Sequence, residues 1–506
     1  MWERAGVEES TEKRAGPSRR LLVLTVIAAA GAAAFLSFVR YAWRGQAANA
    51  PQVRRSFFGR LPAGIKKRYV VFSADVARFA VAVKMGEETQ VVTNDGAGPS
   101  FSDCGTPVFD PRGRLFYWCV ERRLGLDTVV LIADGQPLYT ELAEFGGTEF
   151  SKDGSRWAYG GKLFVPDEVH AARLLVVIDG KEQVRYFDVT PPVFSPDSKH
   201  YAVISEDAEG RLHLEIDGVS VREIEESADP GLARISRTPG EVRLSHEVRL
   251  EYLADGTLAM LVPDADGWGV YVGEQRLASY PRNYWNSPGH SVLHFGDPNR
   301  AIKAASIVTA AEAAVLAWWE RLEGNEERWR VVRNGEPEAI ECLVAWEHQE
   351  ILLSRDGKHL AYGCIQTGPS GDQTFFVYDG QKFGPYAGLW GATLSNDGRH
   401  FALLADDGGP RQRWRVVVDG QPRREGFDRA WPPVFSPDAK HVAWIGERSG
   451  RAVFYLDGHG IVSSDSVMHA PLFRPDGMLV WTGTRGERMT RVLARPAGPA
   501  NSVTEE

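Results

Sequence analysis

Residues 433–444 read PVFSPDAKHVAW, and this stretch decides the fold because close copies of it recur along the chain. The copy at residues 192–202 reads PVFSPDSKHYA, and the copy at residues 353–362 reads LSRDGKHLAY. Other copies, some of them looser, start at Phe72, Phe109, Phe150, Leu253, Ile307, Leu394 and Phe473. Neighbouring copies lie mostly about 41 residues apart, which is the length of one small β-rich unit. The chain is therefore a row of about ten repeats.

A second marker follows each copy by roughly 25 residues, as an apolar run that ends in Asp-Gly. Residues 176–180 read VVIDG, residues 416–420 read VVVDG and residues 455–458 read YLDG. Equivalent runs end at Gly135, Gly218 and Gly380, and with Asn in place of Asp at Gly335. These residues tolerate the positive φ of a tight turn, so each run predicts a hairpin. Two hairpins per repeat predict four strands.

Such units predict an all-β fold, a β-propeller of about ten four-stranded antiparallel blades preceded by one N-terminal transmembrane helix. The last copy, residues 471–496, offers only three strands. We expect a strand around residues 67–72 to supply or support the fourth, because an open row leaves an exposed strand edge. The repeats can form one large ring or two smaller rings. A long insertion near residues 281–305 lies close to the middle and slightly favours two.

Residues 310–323, AAEAAVLAWWERLE, conflict with this pattern because they have the composition of a helix. The repeat register instead makes residues 313–318 a strand and residues 327–335 the strand before the Asn-Gly turn. We favour the register, since the second marker fits it well.

The recurring Ser-Pro-Asp-Gly-like core resembles the bacterial WD40-like propeller repeats of the TolB type, from about residue 68 to residue 495. The resemblance implies blades whose first strand leads into that core and lies nearest the axis. It implies no chemistry, because binding proteins, scaffolds and accessory domains of peptidases share this repeat.

Residues 21–39 form an apolar run without charge, about the length that crosses a bilayer as a helix. The run is a signal anchor, a cleaved signal peptide or a twin-arginine export signal, and we favour the uncleaved anchor. Ser18-Arg19-Arg20 precedes it, and Ala48-Asn49-Ala50 offers a distant cleavage site. Arginines on both sides leave the orientation open, and the commoner arrangement places the large domain outside the cytoplasm, in the periplasm or at the cell surface.

The predicted organisation has six parts. They are a short tail (1–20), the membrane span (21–39), a linker (40–66), repeats 1–5 (67–300), repeats 6–10 (301–496) and a disordered C-terminal tail (497–506).

The composition argues against two classes of function, nucleic-acid binding and zinc binding. The net charge of −9 gives nucleic-acid binding little electrostatic support. Four cysteines lack the spacing of a zinc site. Cys104 and Cys119 flank one predicted hairpin turn, and they form either a disulfide in an exported protein or a pair of buried free thiols. No cofactor or metal site is predicted.

The long connections mark one end of the predicted blades. They fall between second and third strands or between blades, at 162–173, 228–241, 281–300 and 365–373. Because loops on a rigid scaffold often carry function, this face is the expected binding face. Its richest polar and aromatic stretch supplies the candidate binding residues Tyr280, Arg282, Tyr284, Trp285, His290 and His294. The alternative is that Tyr284 and Trp285 only pack the loop onto the blades.

Catalytic motifs are missing from the sequence. It contains no Gly-x-Ser-x-Gly elbow, no HExxH and no Walker A loop. Four recurring histidines, one in each of four copies, suggest a metal ring only weakly because they sit in separate blades: His200, His359, His400 and His441. We therefore expect a non-enzymatic, membrane-anchored scaffold that binds a protein or a cell-envelope ligand. The alternative is a propeller hydrolase, acting on a lactone or a glycan, with its site in the central channel.

Overall fold

A computed structural model describes residues 52–60, 70–123, 126–142, 144–163, 173–186, 188–207, 211–224, 248–264, 267–281, 308–322, 328–343, 351–368, 371–406, 408–409, 413–485 and 488–496. All helices and strands in this part of the chain are β-strands. Residues 53–494 form one compact unit. The other unit, residues 1–52 with 495–506, lies almost entirely outside the described residues, and so do the predicted span and both predicted tails.

The first half of the described strands builds repeats 1–5. The chain begins with β1 (Gln52–Arg60). Repeat 1 contains β2 (Val71–Phe72), β3 (Phe79–Met85), β4 (Glu88–Thr93) and β5 (Gly96–Phe101). Repeat 2 contains β6 (Asp103–Cys104), β7 (Val108–Phe109), β8 (Leu115–Arg123), β9 (Leu126–Ala133) and β10 (Gln136–Leu142). Repeat 3 contains β11 (Glu144–Phe150), β12 (Trp157–Leu163), β13 (Arg173–Ile178) and β14 (Lys181–Tyr186). Repeat 4 contains β15 (Asp188–Val189), β16 (Val193–Phe194), β17 (Tyr201–Glu206), β18 (Leu212–Ile216) and β19 (Val219–Ile224). Repeat 5 contains β20 (Arg249–Tyr252), β21 (Leu258–Asp264), β22 (Gly267–Val272) and β23 (Gln275–Pro281).

The second half builds repeats 6–10 in the same way. Repeat 6 contains β24 (Val308–Thr309), β25 (Leu316–Arg321), β26 (Arg328–Arg333) and β27 (Glu336–Leu343). Repeat 7 contains β28 (Ile351–Leu353), β29 (Leu360–Gly368), β30 (Gly371–Tyr378) and β31 (Gln381–Tyr386). Repeat 8 contains β32 (Gly388–Leu394), β33 (Phe401–Asp406), β34 (Trp414–Val418) and β35 (Gln421–Phe427). Repeat 9 contains β36 (Arg429–Phe435), β37 (Val442–Arg448), β38 (Arg451–Leu456) and β39 (His459–Ser464). Repeat 10 contains β40 (Ser466–Phe473), β41 (Leu479–Arg485) and β42 (Arg488–Arg495).

Each repeat forms an antiparallel sheet whose strands pair in chain order. The first strand is split into two pieces in repeats 2 and 4. The sheets of repeats 6 and 7 are joined by a single pairing, Leu343 with Ile365. We call the first strand of each repeat its inner strand and the fourth its outer strand, because the fourth strands are the more exposed edge, as in β5 and β31.

The fourth strand of repeat 10 comes from the other end of the chain. β1 pairs with β42 and completes that sheet in the order β1-β42-β41-β40. The expectation of a strand at residues 67–72 for this role was wrong: Val71–Phe72 is the inner strand of repeat 1, because it leads directly into the Ser73 turn. The segment expected to be a linker, residues 40–66, contains β1 instead.

Hydrophobic contacts between consecutive sheets form the core. Among the described residues, every consecutive pair of repeats shares one cluster of buried apolar side chains. Leu261 of repeat 5 packs with Trp318 of repeat 6, on either side of the long insertion. A further cluster packs Phe79 and Val81 of repeat 1 against Met468 and Met489 of repeat 10. The row of sheets thus returns to its own start.

The tight turns lie where the sequence predicts them. The aspartates of the Asp-Gly pairs have positive φ, for example 51° at Asp179 and 49° at Asp419, and Asn334 has 49°. Each following glycine also has positive φ, a conformation that glycine adopts without steric cost.

The segment with helical composition contains a strand in the structure, as the repeat register predicted. The strand begins at Leu316, three residues later than the register predicted, and residues 311–314 form a bend. The tertiary pairing of β25 with β26 overrides the local preference of the alanines.

All four cysteines form disulfides. Cys104 bonds to Cys119, the pair that the sequence suggested, and Cys342 bonds to Cys364, which the sequence did not suggest. Cys119 and Cys364 occupy the same position, the fifth residue of the second strand, in repeats 2 and 7. The second bond connects two repeats, since Cys342 lies on β27 and Cys364 on β29.

Candidate functional site

Both tight turns of a repeat lie at the same end of its sheet, and polar side chains connect them. In repeat 7 the Ser354 hydroxyl donates a hydrogen bond to Asp356 Oδ1 at 2.6 Å and accepts one from the His359 backbone N–H at 3.0 Å. His359 Nδ1 donates to Oδ2 of Asp379, the aspartate of the Asp-Gly turn, at 2.7 Å. The Leu360 N–H donates to Asp379 Oδ1 at 2.9 Å. We call these four side chains the turn network of the repeat.

The same turn network is present in three other repeats. Its members are Ser195, Asp197, His200 and Asp217 in repeat 4, Ser395, Asp397, His400 and Asp419 in repeat 8, and Ser436, Asp438, His441 and Asp457 in repeat 9. Each recurring histidine is therefore bound to an aspartate of its own repeat. Sequence reasoning missed this pairing, although the steady spacing of 16 to 20 residues between the partners could have suggested it.

The turn aspartates are stabilised as carboxylates. The Ser195 hydroxyl and the Lys199 backbone N–H lower the pKa of Asp197 to about 2. The equivalent serines lower the pKa of Asp356, Asp397 and Asp438. These exposed carboxylates are thus committed to the turns that they close.

Contacts between neighbouring repeats occupy the same end. Arg78 donates to the Gly113 carbonyl of the next repeat at 2.8 Å, and its guanidinium lies 5.5 Å from the Phe109 ring. Arg156 makes the equivalent contacts with the Lys199 carbonyl and the Phe194 ring. The end that carries the short turns therefore serves to connect the repeats.

Of the six candidate binding residues at the opposite end, only Tyr280 is among the described residues. Tyr280 lies in the last part of β23, the outer strand of repeat 5. Arg282, Tyr284, Trp285, His290 and His294 lie outside the described residues. The hypothesis that this stretch binds a ligand stays a prediction.

Two tryptophans that sequence reasoning missed lie at matching positions on the inner strands of repeats 8 and 9. Trp390 and Trp431 stand five residues before the recurring serines Ser395 and Ser436, in the strand half remote from the short turns. The Trp390 side chain is 44% exposed, and its ring centroid lies 6.4 Å from that of Trp414. The Arg429 guanidinium lies 5.9 Å from the centre of the Trp431 ring. The matching offset before two successive serines was the available signal.

In repeat 10, His469 occupies the position that corresponds to Trp390 and Trp431. Its ring packs edge-on against Phe72 of repeat 1, with the centroids 5.1 Å apart, and its Nδ1 donates to the Ala470 carbonyl. Burial lowers the pKa of His469. His469 thus connects the inner strand of repeat 10 to the inner strand of repeat 1.

Neither a metal-binding cluster nor a membrane-spanning helix is found among the described residues. No group of three or more metal-ligating side chains lies together in this part of the chain. No helix among these residues is long and apolar enough to cross a membrane, and residues 21–39 are not among them.

Each repeat is an antiparallel sheet of about four strands, and consecutive sheets pack against one another. This arrangement is a β-propeller type of fold. No protein-family model matches the chain, and no curated protein sequence is similar to it.

Several solved structures resemble the fold at low sequence identity. The Dos1 propeller is 9% identical, with a TM-score of 0.33 over 88% of this chain and 95% of that one. The β-propeller domain of the Trilobed protease from Pyrococcus furiosus is 14% identical, with a TM-score of 0.27 over 63% of this chain and 97% of that one. TolB from Acinetobacter baumannii is 12% identical, with a TM-score of 0.20 over 75% of this chain and 80% of that one. With scores this low, the assignment rests on the chain's own strand pairing.

Proposed function

We propose that this protein is a membrane-anchored, extracytoplasmic β-propeller of WD40-like, TolB type, which acts as a non-enzymatic scaffold for a protein or cell-envelope ligand. In this proposal the ligand binds at the end of the blades remote from the short turns. The observation that carries the proposal is the exposed Trp390 on an inner strand.

We also propose that the ten repeats form one closed ring. The shared core of repeats 5 and 6, on either side of the long insertion, supports one ring over two rings of about five. The contact of Phe79 with Met489, between repeats 1 and 10, supports closure. Completion of the last sheet by β1 gives repeat 10 the same four strands as its neighbours, with the two ends of the chain in one sheet.

The two ends of the blades differ in their exposed side chains, and this difference supports a binding role. At the short-turn end, the recurring serines, aspartates and histidines already bond to one another. At the other end, Trp390 presents a large apolar surface to solvent beside Trp414. Tryptophan and arginine are frequent anchors of protein interfaces, and Trp390 with Arg429 offers both within two neighbouring repeats.

The disulfides support an extracytoplasmic location. Cys119, Cys342 and Cys364 are buried at contacts between repeats. Disulfides form and persist in oxidising compartments and are rare in the cytosol. Together with the apolar run at residues 21–39, they favour an anchored protein whose repeats lie outside the cytoplasm.

The test is capture of partners by the tethered protein. The full chain is cross-linked in its own membrane, purified and compared with Trp390→Ala. We expect Trp390→Ala to lose a specific partner at least tenfold, because truncation of a central aromatic anchor typically costs about 2 kcal/mol or more.

The control is Val221→Ala, a 54% exposed apolar residue on the outer strand β19. It should leave the partner unchanged. Equal capture by wild type and Trp390→Ala would contradict the proposed site. Turnover of a lactone or glycan by the purified chain would favour the alternative hydrolase.

A further inference from the structure

The sheet of repeat 10 has one edge with an unusual charge. β1 and β42 are paired neighbours, and together they hold six arginines and no acidic residue. The arginines are Arg54, Arg55, Arg60, Arg488, Arg491 and Arg495. The whole chain has a net charge of −9, so this positive edge is set against an acidic background.

The other strongly basic strand is neutralised by its neighbours. β26 holds three arginines, and each forms an ion pair with a glutamate of its own repeat. The pairs are Arg328–Glu341 at 3.0 Å, Arg330–Glu320 at 2.5 Å and Arg333–Glu338 at 3.5 Å. The arginines of β26 are therefore matched by glutamates of the same repeat, whereas β1 and β42 contain no acidic residue.

Three arginines of this edge are open to solvent, whereas Arg491 is half-buried and donates to the Val76 carbonyl. Arg54, Arg55 and Arg488 are exposed, and none of them forms an ion pair with an acidic side chain of the described residues. Phe57, two residues after Arg55 on β1, is 58% exposed, and the Arg488 guanidinium lies 5.2 Å from its ring centre. Charge on an edge strand alone prevents unwanted strand pairing. That role does not account for an exposed phenylalanine among the arginines.

The partner that fits this surface is a lipid headgroup layer. Anionic headgroups attract arginines close to the surface, and aromatic rings lie favourably at the boundary of headgroups and acyl chains. Only 12 residues separate the end of the predicted span at Val39 from the start of β1 at Gln52. An extended chain of that length reaches about 40 Å at most, so the proposed anchor would limit how far β1 can lie from a bilayer.

We propose that the outer edge of repeat 10, formed by β1 and β42, rests on an anionic lipid surface through Arg54, Arg55, Arg488 and Phe57. This inference builds on the membrane anchor of the proposed function and adds which face of the propeller meets the bilayer. The contact orients the propeller relative to the membrane.

Hydrogen–deuterium exchange of the full chain in lipid nanodiscs tests the contact. Among the described strands, β1 pairs only with β42, so its outward N–H groups report any surface that covers them. Discs of phosphatidylcholine are compared with discs that contain phosphatidylglycerol. We expect slower exchange in residues 52–60 in the anionic discs, roughly fivefold for each arginine that reaches the lipid.

Two triple variants of equal charge separate position from net charge. Arg54→Glu with Arg55→Glu and Arg488→Glu should abolish the protection. Lys181→Glu with Arg276→Glu and Lys382→Glu, on the outer strands of repeats 3, 5 and 7, should retain it. Equal exchange in both kinds of disc overturns the inference, and so does protection that survives the first triple variant.

A separate readout isolates the proposed function. Resistance of the membrane-bound chain to alkaline carbonate reports the anchor, whereas the lipid-dependent exchange of β1 reports the face. A chain that is extracted by carbonate but still shows arginine-dependent protection on anionic vesicles keeps this inference and refutes the anchor. A chain that resists extraction but shows no such protection keeps the anchor and overturns this inference.

Discussion

Repeats 7–9 and repeats 5–6 reach the same four-stranded architecture by different means. Repeats 7–9 close their turns with complete turn networks of Ser, Asp, His and Asp. In repeats 5 and 6 the serine position holds Leu253 and Ala310, and the histidine position holds Thr257 and Val315. The backbone bond that closes the turn is nevertheless present in both repeats, from the Leu253 N–H to the Thr257 carbonyl and from the Ala310 N–H to the Val315 carbonyl.

The apolar contact compensates where the turn network is missing. Leu253, which replaces the serine, is fully buried and joins the cluster that contains Trp318. Repeat 6 bonds to its neighbours through side chains instead, with Thr309 to Glu251 at 2.8 Å and Arg355 to Glu312 at 2.8 Å. The backbone turn therefore defines the repeat, and the turn network is one of two ways to stabilise it.

The largest effect should come from the apolar contact of repeats 5 and 6. Trp318→Ala removes a side chain that is 3% exposed and should lower the free energy of unfolding by about 3–5 kcal/mol, because it leaves a cavity between two sheets. Chemical denaturation measures the loss. Trp390→Ala, at 44% exposure, is the control and should cost clearly less. Similar losses for both would refute the compensating role of the cluster.

The second effect concerns the border between the two regions. The Cys342–Cys364 bond connects repeat 6 to repeat 7 across 22 residues. Its replacement by Cys342→Ala with Cys364→Ala should cost about 3 kcal/mol, because the unfolded chain regains the entropy of an open loop. Thermal unfolding with and without reductant measures it. Reductant should destabilise the wild type, and it should affect the double variant less.

A smaller effect should follow from opening one turn network. Ser354→Ala removes a buried hydroxyl that bonds Asp356 and the His359 N–H, and should cost about 1–3 kcal/mol. Thr257→Ala, at the histidine position of repeat 5, should change stability by less than about 0.5 kcal/mol. Denaturant midpoints of the two variants give the comparison. A neutral Ser354→Ala would mean that the turn network is dispensable even where it is complete.

The smallest effect is a dependence on acid. The pKa of Asp197 is lowered to about 2 in the folded state from its ordinary 3.8, so the carboxylate contributes stability above pH 3.8 and loses it as the pH falls towards 2. Denaturant midpoints at pH 5 and pH 3 should fall less in Asp197→Asn than in the wild type. Equal falls of the midpoint in the two proteins would contradict a contribution of the Asp197 carboxylate to stability.

The architecture could be predicted from the sequence because its turns are formed by short motifs of neighbouring residues. Asp-Gly pairs and the Ser-Pro-Asp core are short-range signals, and the structure has tight turns at them. The strand β1 escaped prediction because an outer strand pairs on one side only and carries no recurring motif. The Cys342–Cys364 bond depends on how two repeats pack, which spacing alone does not reveal.

The candidate site was harder to predict than the fold. Attention to the long connections selected Tyr280 and the residues after it. Trp390 lies on a regular strand, and only packing makes its exposure visible. The recurring histidines could be recognised from the sequence, but their aspartate partners became apparent only in the structure, where both turns lie at one end of the sheet.

The central claim is that ten repeats close into one ring, with the first strand of the chain completing the last sheet. Electron cryomicroscopy of the purified chain, with class averages along the ring axis, tests it most directly. The account predicts one ring of ten radial sheets, with repeat 1 beside repeat 10. Two separate rings of about five sheets each, or a gap between repeats 1 and 10, would contradict it.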